Sequence, residues 1–181
     1  INYVITKNTS PKGTYTVQNT ATYSEVVHIT NINVNEGYDV DDIIIKDEDN
    51  TPITHTGISG GETTFTMPAK NVSITITYVD HDYVITKTTP VNGAFTIPTT
   101  ATASSTVNIT GITPNTGFEI DTITILQTSG TGSPTEITVL GTGDSRYFTM
   151  PTGDITATIT FKPINYVITK NTSPKGTYTV Q

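Results

Sequence analysis

The chain of 181 residues contains no cysteine and no tryptophan. Without cysteine it has no disulfide framework, no thiolate nucleophile and no cysteine-ligated zinc site. Apolar residues make up only 34% of the chain. Its length is nevertheless sufficient to bury a core, in either one large or two small domains. The sequence therefore points to stability from ordinary hydrophobic packing.

Positive charge is also scarce. Nine Lys and Arg residues stand against 16 Asp and Glu residues, which gives a net charge of −7 and a pI of about 4.7. Nucleic acids and anionic membranes are bound through basic patches, which this balance disfavours. No apolar run approaches the length of a transmembrane helix. The strand pattern that begins at Ile1 predicts no signal peptide. We therefore expect neither nucleic-acid binding nor membrane insertion.

Threonine is the residue in excess, at roughly a quarter of the chain and far above average usage. It is β-branched and suits the solvated face of a sheet. Short alternating segments such as "YVITK", "GTYTVQ" and "NVSITITYV" are separated by Gly, Pro, Asn and Asp. This pattern is typical of strands joined by turns. No window has a helical period, so the sequence predicts an all-β protein.

An internal repeat organises the chain. Residues 1–18, "INYVITKNTSPKGTYTVQ", recur letter for letter at 164–181, and a diverged copy begins at Tyr83. The match extends to "FTMPAKNVSITITY" from Phe65 and "FTMPTGDITATITF" from Phe148. We therefore predict a first unit at 1–80, a second at 81–163, and at 164–181 the opening hairpin of a third. Since the exact copy returns only after two units, we expect a longer array of alternating unit types.

The alternation of apolar and polar residues predicts which side chains face the core. In the last strand of each unit the apolar residues share one face and the Thr residues share the other, as in a sheet with one buried and one solvated face. This is typical of antiparallel sheets. The predicted inward residues are Val72, Ile74, Ile76, Tyr78, Ile155, Ala157, Ile159 and Phe161, with Ile43, Ile45, Ile123 and Ile125 on the adjacent strand and Tyr38 and Phe118 as aromatic core residues.

The order of these features resembles the divergent internalin B-type bacterial repeats, also called FTMP repeats. The resemblance rests on the opening "YVIT" strand, the "GY" or "GF" element and "FTMP" with its closing strand. It implies a tandem array of small antiparallel β-sandwich-like domains, Ig-like or β-grasp-related, used as stalk and adhesion modules without catalysis. Two departures concern packing: the family's Trp is absent near Ile43 and Ile123, and the first turn is reduced to "SPKG" and "PVNG".

The sequence contains no recognised set of catalytic groups, so we predict that the protein is not an enzyme. His28, His55 and His81 lie in a strand, a loop and the junction between units. Only His81 has carboxylates beside it, Asp80 and Asp82, and the junction after the second unit, "KPIN", does not repeat them. No phosphate-binding glycine loop, HExxH helix or nucleophile elbow is present. We therefore assign no catalytic, cofactor-binding or metal-binding residue and expect no cofactor.

Three weaker alternatives remain open. The acidic stretch at 39–50 offers oxygen ligands of the kind calcium prefers, although its spacing is not that of an EF-hand and the second unit lacks it. First-strand lysines recur in every unit and could form isopeptide bonds with a residue before the last strand. Glycosylation sequons could carry sugars. The residues concerned are Asp39, Asp41, Asp42, Asp47, Glu48 and Asp49 for calcium; Lys7, Lys87 and Lys170 with Asn71 or Asp154 for crosslinks; and Asn8, Asn71, Asn108 and Asn171 for sugars.

The sequence therefore predicts a non-catalytic structural repeat of an extracellular stalk or filament, secreted or attached to the surface of a bacterium or archaeon. Its partners would be neighbouring units of the same or identical chains. The alternative is an adhesin module that binds carbohydrate or a host protein through its loops. Such a site usually presents exposed aromatic rings. In the alignment of the two units Tyr23 corresponds to Ala103, and Tyr147 corresponds to Thr64. Neither makes an obvious platform.

Overall fold

A computed structural model describes residues 1–143, 145–170, 176 and 179. Within these residues it contains sixteen strands and no helix, which confirms the all-β prediction. The chain divides into two compact units, the first spanning Ile1–Tyr83 and the second beginning at Val84. In the part of the chain described, no helix is long and apolar enough to cross a membrane.

The first unit consists of two small sheets. Its strands are β1 (Asn2–Lys7), β2 (Gly13–Thr16), β3 (Thr20–Thr22), β4 (Val26–Val34), β5 (Tyr38–Asp47), β6 (Thr63–Thr66) and β7 (Val72–Asp80). One sheet has the order β3-β1-β7-β5 and the other has the order β2-β4-β6. Both contribute to one hydrophobic core, with Ile5, Ile45 and Ile74 from the first sheet and Val27 and Phe65 from the second.

The second unit uses equivalent strands in the same order and adds two short ones. Its strands are β8 (Asp82–Lys87), β9 (Gly93–Thr96), β10 (Thr100–Thr102), β11 (Thr106–Pro114), β12 (Phe118–Gln127), β13 (Thr135–Ile137), β14 (Leu140–Thr142), β15 (Ser145–Thr149) and β16 (Ile155–Pro163). The sheets are β10-β8-β16-β12-β13 and β14-β15-β11-β9. The additional strands β13 and β14 lie at sheet edges, within the segment whose length differs between the units.

The predicted register of the last strands is confirmed. Val72, Ile74 and Ile76 are buried on β7, and Ser73 and Thr75 between them are more exposed. Their counterparts on β16 are Ile155, Ala157 and Ile159, also buried. A slip of one residue would have exposed the whole set. At the far ends of these strands the predicted inward aromatic residues, Tyr78 and Phe161, are only half-buried.

The neighbouring strand differs from the prediction at three aromatic or aliphatic positions. Ile43, Ile45 and Ile125 are buried as expected, but Ile123 is half-buried. Tyr38 and Phe118, predicted as core residues, are half-buried because they begin their strands next to a turn. The Lys12 ammonium lies 4.5 Å from the centre of the Tyr38 ring, so that ring packs beneath a surface cation.

The prediction of a purely antiparallel sheet is wrong at one point in each unit. β1 pairs with β7 in parallel, with Ile5 opposite Val72 and Lys7 opposite Ile74. β8 and β16 pair in the same way. Alternation of residues shows that one face is buried but not in which direction the neighbouring strand runs, so it could not reveal this pairing.

Candidate functional site

The start of each first strand is held by a side chain that lies just before the last strand. The N–H of Val4 donates to Oδ1 of Asn71 at 2.8 Å, and the N–H of Val84 donates to Oδ1 of Asp154 at 2.8 Å. Asn and Asp can both accept this hydrogen bond because it uses only a side-chain oxygen, which both residues have. Asn71 and Asp154 are therefore matched anchors for the incoming chain.

The end of each unit is also tied to its own body. The N–H of His81 donates to the carbonyl of Gly37 at 2.9 Å, and the N–H of Ile164 donates to the carbonyl of Gly117 at 2.8 Å. Both glycines have positive φ, 92° and 83°, a conformation that glycine adopts without steric cost. Main-chain bonds of this kind do not depend on the side chain, which explains how His81 and Ile164 can occupy equivalent positions.

First-strand lysines cover an aromatic ring of the second strand. The Lys7 ammonium donates to the Tyr15 carbonyl and lies 4.6 Å from the centre of that ring. The Lys87 ammonium donates to the Phe95 carbonyl and lies 4.5 Å from the centre of the Phe95 ring. Cations over aromatic faces are attracted by the ring quadrupole. Lys170, the third lysine of the series, is exposed.

The structure does not bring the proposed crosslink partners together. Lys7 is level with Ile74 in the β1–β7 pair, whereas Asn71 precedes Val72, the partner of Ile5. Successive residues of a strand are about 3.3 Å apart, so lysine and asparagine are separated along the strand. The side-chain amide of Asn71 instead donates to Glu48 at 3.0 Å. An isopeptide bond in the first unit is therefore not supported.

The three histidines have separate partners. His28 pairs with Glu62, and Nδ1 of His55 lies 2.7 Å from the carbonyl of Thr56. Nδ1 of His81 lies 2.6 Å from Oδ2 of Asp39, and its ring stacks edge-on against Tyr83 at 4.6 Å between centroids. Nδ1 of His55 also lies 3.2 Å from the hydroxyl of Thr63. The three histidines therefore have different partners and do not form one cluster.

The acidic stretch is spread over several contacts. Oδ2 of Asp41 accepts from Thr77 at 3.1 Å, and Oδ1 of Asp42 accepts the N–H of Ile43 at 2.8 Å. The Lys70 ammonium binds Asp47 at 3.2 Å and Asp49 at 2.6 Å. Across the described residues, no group of three or more His, Asp or Glu side chains is arranged to hold a metal ion. The calcium alternative therefore has no cluster to support it.

Asp47 is a buried loop anchor that the sequence reasoning missed. Its Oδ1 accepts the N–H groups of Thr51 at 2.8 Å and Asp49 at 3.0 Å. The hydrogen bond from Thr51, together with Lys70, holds the pKa of Asp47 below its usual value. The corresponding residue, Gln127, is also buried and donates to the carbonyl of Ser129 at 2.8 Å. Both positions therefore order the loop that follows the strand.

The alignment contains the signal that would have revealed this anchor. Asp47 lies two residues after Ile45, on the inward face of β5. Gln127 lies two residues after Ile125, on the inward face of β12. A polar residue at an inward position must find hydrogen-bond partners. Its recurrence in both units predicts a structural anchor rather than a ligand.

The sequons are partly engaged in the fold. The side-chain amide of Asn8 donates to Thr75 at 2.7 Å, and that of Asn71 donates to Glu48 as described above. Asn108 lies exposed on β11. Asn171 lies outside the described residues. The contacts of Asn8 and Asn71 give those two amide groups a structural use.

A groove of about 630 Å³ lies in the second unit, near the strands that the first unit lacks. Its charged lining residues are Asp121, Glu136 and Arg146, and its other lining residues are aliphatic or Thr. Arg146 donates to the carbonyl of Gly141 at 2.8 Å. Among the described residues that line the groove there is no aromatic ring of the kind on which a sugar stacks.

Comparisons with protein-family models, with curated proteins and with solved structures gave no match. The resemblance of the "FTMP" segments to internalin B-type repeats therefore remains a prediction from the sequence.

Tyr15 is a buried titratable group of the first unit, and the second unit has Phe95 at the equivalent position. Its hydroxyl lies 2.8 Å from the carbonyl of Ile74 and 3.0 Å from that of Asn8. Burial raises the pKa of Tyr15 to about 12 from 10.0. The folded state thus favours the protonated phenol. This contribution to stability is complete below pH 10 and is lost as the pH rises toward 12.

We expect the first unit to lose about 2 kcal/mol of unfolding free energy between pH 10 and pH 12 through this residue. The second unit has Phe95 at the equivalent position and serves as an internal control. Urea unfolding of the intact chain, followed by NMR signals of each unit, would measure both. Tyr15→Phe should remove this part of the loss. If the variant and the natural chain lose equal stability over that range, Tyr15 is not responsible.

Proposed function

We propose that the chain is a non-catalytic structural repeat of a large extracellular stalk or filament, in which β-domains in series form a stiff fibre. The observation that carries this proposal is the parallel pairing of the first and last strands in each unit. The extracellular placement rests on the resemblance of the "FTMP" segments. One long array and a head-to-tail assembly of identical chains would both use these units.

Parallel pairing suits a unit that is pulled through its ends. Tension enters at the beginning of β1 and leaves at the end of β7. Because these strands run in the same direction, their two loaded ends lie at opposite ends of the pair. The force then acts along the strands and loads the hydrogen bonds between them together. If the two strands were antiparallel, both loaded ends would lie at the same end of the pair. The hydrogen bonds between the strands would then break one after another.

The connection between units also supports a stiff fibre. Only His81 separates β7 from β8, whereas flexible linkers are longer and rich in Gly and Ser. The bond from His81 to Gly37 ties the leaving chain to the first unit, and Ile164 makes the same bond to Gly117. Pro163 further restricts the backbone before Ile164. These features leave the chain little freedom where one unit ends.

We expect chains with two, four and six units to scatter X-rays at small angles as rods whose length grows in proportion to the number of units. The physical reason is that each junction adds few rotatable residues. Control chains with a flexible Gly/Ser segment added after His81 should bend at that point. Their distributions of interatomic distances should be broader and less extended. A compact particle, or equal distributions for the natural and the extended junctions, would contradict the proposal.

A further inference from the structure

The turn between β8 and β9 contains the pair Asn92-Gly93, the one Asn-Gly pair in the sequence. A main-chain nitrogen can attack the side-chain amide of the Asn that precedes it and form a five-membered imide. The attack is easiest when the residue after Asn is Gly, which has no side chain. It is hindered when that residue is β-branched. The sequence therefore marks Asn92 as the Asn that is most open to this reaction.

The fold explains why these two residues stand together. Asn92 has a φ of 66°, in the left-handed region that Asn adopts more readily than most residues. A Cβ atom at position 93 would clash with the ring of Phe161, so the packing of the second unit requires Gly there. The reactive pair is thus a consequence of the shape of the turn and of the core contact beside it.

Two other residues, Asn31 and Asn50, have the same left-handed conformation, with φ of 50° and 64°. In both cases the next main-chain N–H is held by a hydrogen bond. Ile32 donates to a carbonyl oxygen at 3.0 Å, and Thr51 donates to a carboxylate oxygen at 2.8 Å. Both of these following residues are β-branched. Asn31 and Asn50 therefore share the conformation of Asn92 but not its exposure to attack.

The N–H of Gly93 is not held by the strand next to it. Asn115 donates to the carbonyl of Asn92 at 2.9 Å, and Gly93 is opposite Pro114, which has no N–H. Bonded and non-bonded pairs alternate along an antiparallel ladder, so Gly93 and Pro114 form a non-bonded pair. Because β9 is an edge strand, the N–H of Gly93 faces the open side of the sheet.

We propose that Asn92 is a site of self-modification, at which the main-chain nitrogen of Gly93 attacks Cγ of Asn92. The bond between this nitrogen and Cγ forms, and the bond between Cγ and Nδ2 breaks. The proton lost by the Gly93 nitrogen passes through solvent to Nδ2, which leaves as ammonia. Water then opens the imide at one of its two carbonyl groups and gives either aspartate or isoaspartate.

The two products have different effects on the second unit. Aspartate adds a negative charge to the turn. Isoaspartate also adds a carbon atom to the main chain, which displaces the carbonyl that accepts from Asn115. The first unit has Lys12 at the equivalent position and has no side-chain amide to react there. The second unit alone therefore changes with age at this turn, whether or not the units form a fibre.

The test is a time course on the full chain in mildly alkaline buffer prepared with heavy-oxygen water. Peptide mapping by mass spectrometry would measure conversion at each Asn. We expect Asn92 to incorporate heavy oxygen at least about tenfold faster than Asn31 or Asn50. An isoaspartate methyltransferase should label the isoaspartate product. Asn92→Lys, which introduces the residue type of the first unit, should remove this label.

A synthetic peptide with the sequence of residues 88–97 gives the rate without the fold. We expect the folded chain to react within about tenfold of the peptide, because the attack requires no opening of the ladder. Dilute urea raises the unfolded fraction and should leave the rate at Asn92 unchanged.

Three results would overturn the proposal. The first is an unchanged Asn92 in the folded chain over the time in which the peptide is converted. The second is conversion of Asn31 and Asn50 at the same rate as Asn92. The third is a rate that rises with urea in proportion to the unfolded fraction, because conversion would then occur in the unfolded chain.

Discussion

Ile74→Ala is expected to lower the free energy of unfolding of the first unit by about 2–5 kcal/mol. Ile74 is fully buried near the middle of β7. It is opposite Lys7 in β1 and Ile45 in β5, so truncation would leave a cavity at the centre of the sheet. Urea unfolding of the intact chain, followed by NMR signals of each unit, would give the change.

Thr75→Ala is the matched control on the opposite face of the same strand. Thr75 is partly exposed and its hydroxyl accepts from Asn8 at 2.7 Å. Loss of one such hydrogen bond is worth about 0.5–1.5 kcal/mol. The second unit should be unaffected by either substitution. Equal losses for Ile74→Ala and Thr75→Ala would show that the assigned face of β7 is not the core face.

The residues of β7 illustrate what the sequence could predict. Strict alternation identified the buried face because a strand has a period of two. The correspondence of the two units then allowed the same assignment on β16, including the small residue Ala157. Local pattern and repeat were sufficient for these positions because both depend only on residues close in sequence.

The parallel pairing of β1 and β7 could not be predicted in the same way. Its partners, such as Ile5 and Val72, are far apart in the chain, and each strand has the same alternation in either direction. The position of the Lys12 ammonium over the Tyr38 ring could not be predicted for the same reason, since Lys12 comes from another part of the unit. Contacts between distant segments decide these features, and no local pattern encodes them.

The candidate site was missed for a different reason. The carboxylates at 39–50 have the chemistry of calcium ligands, and this chemistry does not indicate that one of them orders a loop. The structure uses Asp47 and Gln127 to order loops, and Asn71 and Asp154 to hold incoming strands. All four residues act through hydrogen bonds to the main chain. Such roles can be recognised because the residues occupy equivalent positions in the two units. The chemical type of the side chain does not reveal them.

These anchors suit a protein built from diverging copies. An acceptor oxygen at position 71 or 154 and a backbone donor at His81 or Ile164 preserve the start and end of a unit. Side chains elsewhere can then change without altering the path of the chain. Both kinds of hydrogen bond are kept in the two units although their sequences have diverged.

Gly13→Ala is expected to lower the free energy of unfolding of the first unit by about 1–3 kcal/mol or more, as overpacking does. A Cβ atom at Gly13 would lie 2.6 Å from the carbonyl oxygen of Asn33 and 2.6 Å from the ring of Tyr78. The main-chain oxygen belongs to the paired strand β4, so it cannot move without disturbing the sheet. Urea unfolding would measure the loss.

Gly93→Ala in the second unit is the matched comparison. There a Cβ atom would clash with the ring of Phe161, and the three nearest atoms all belong to that side chain. Phe161→Leu should therefore relieve most of the clash in the double variant. Tyr78→Leu should relieve less of it for Gly13→Ala, because the Asn33 oxygen remains. If both second substitutions restore stability equally, the aromatic rings alone explain why glycine is required at these positions.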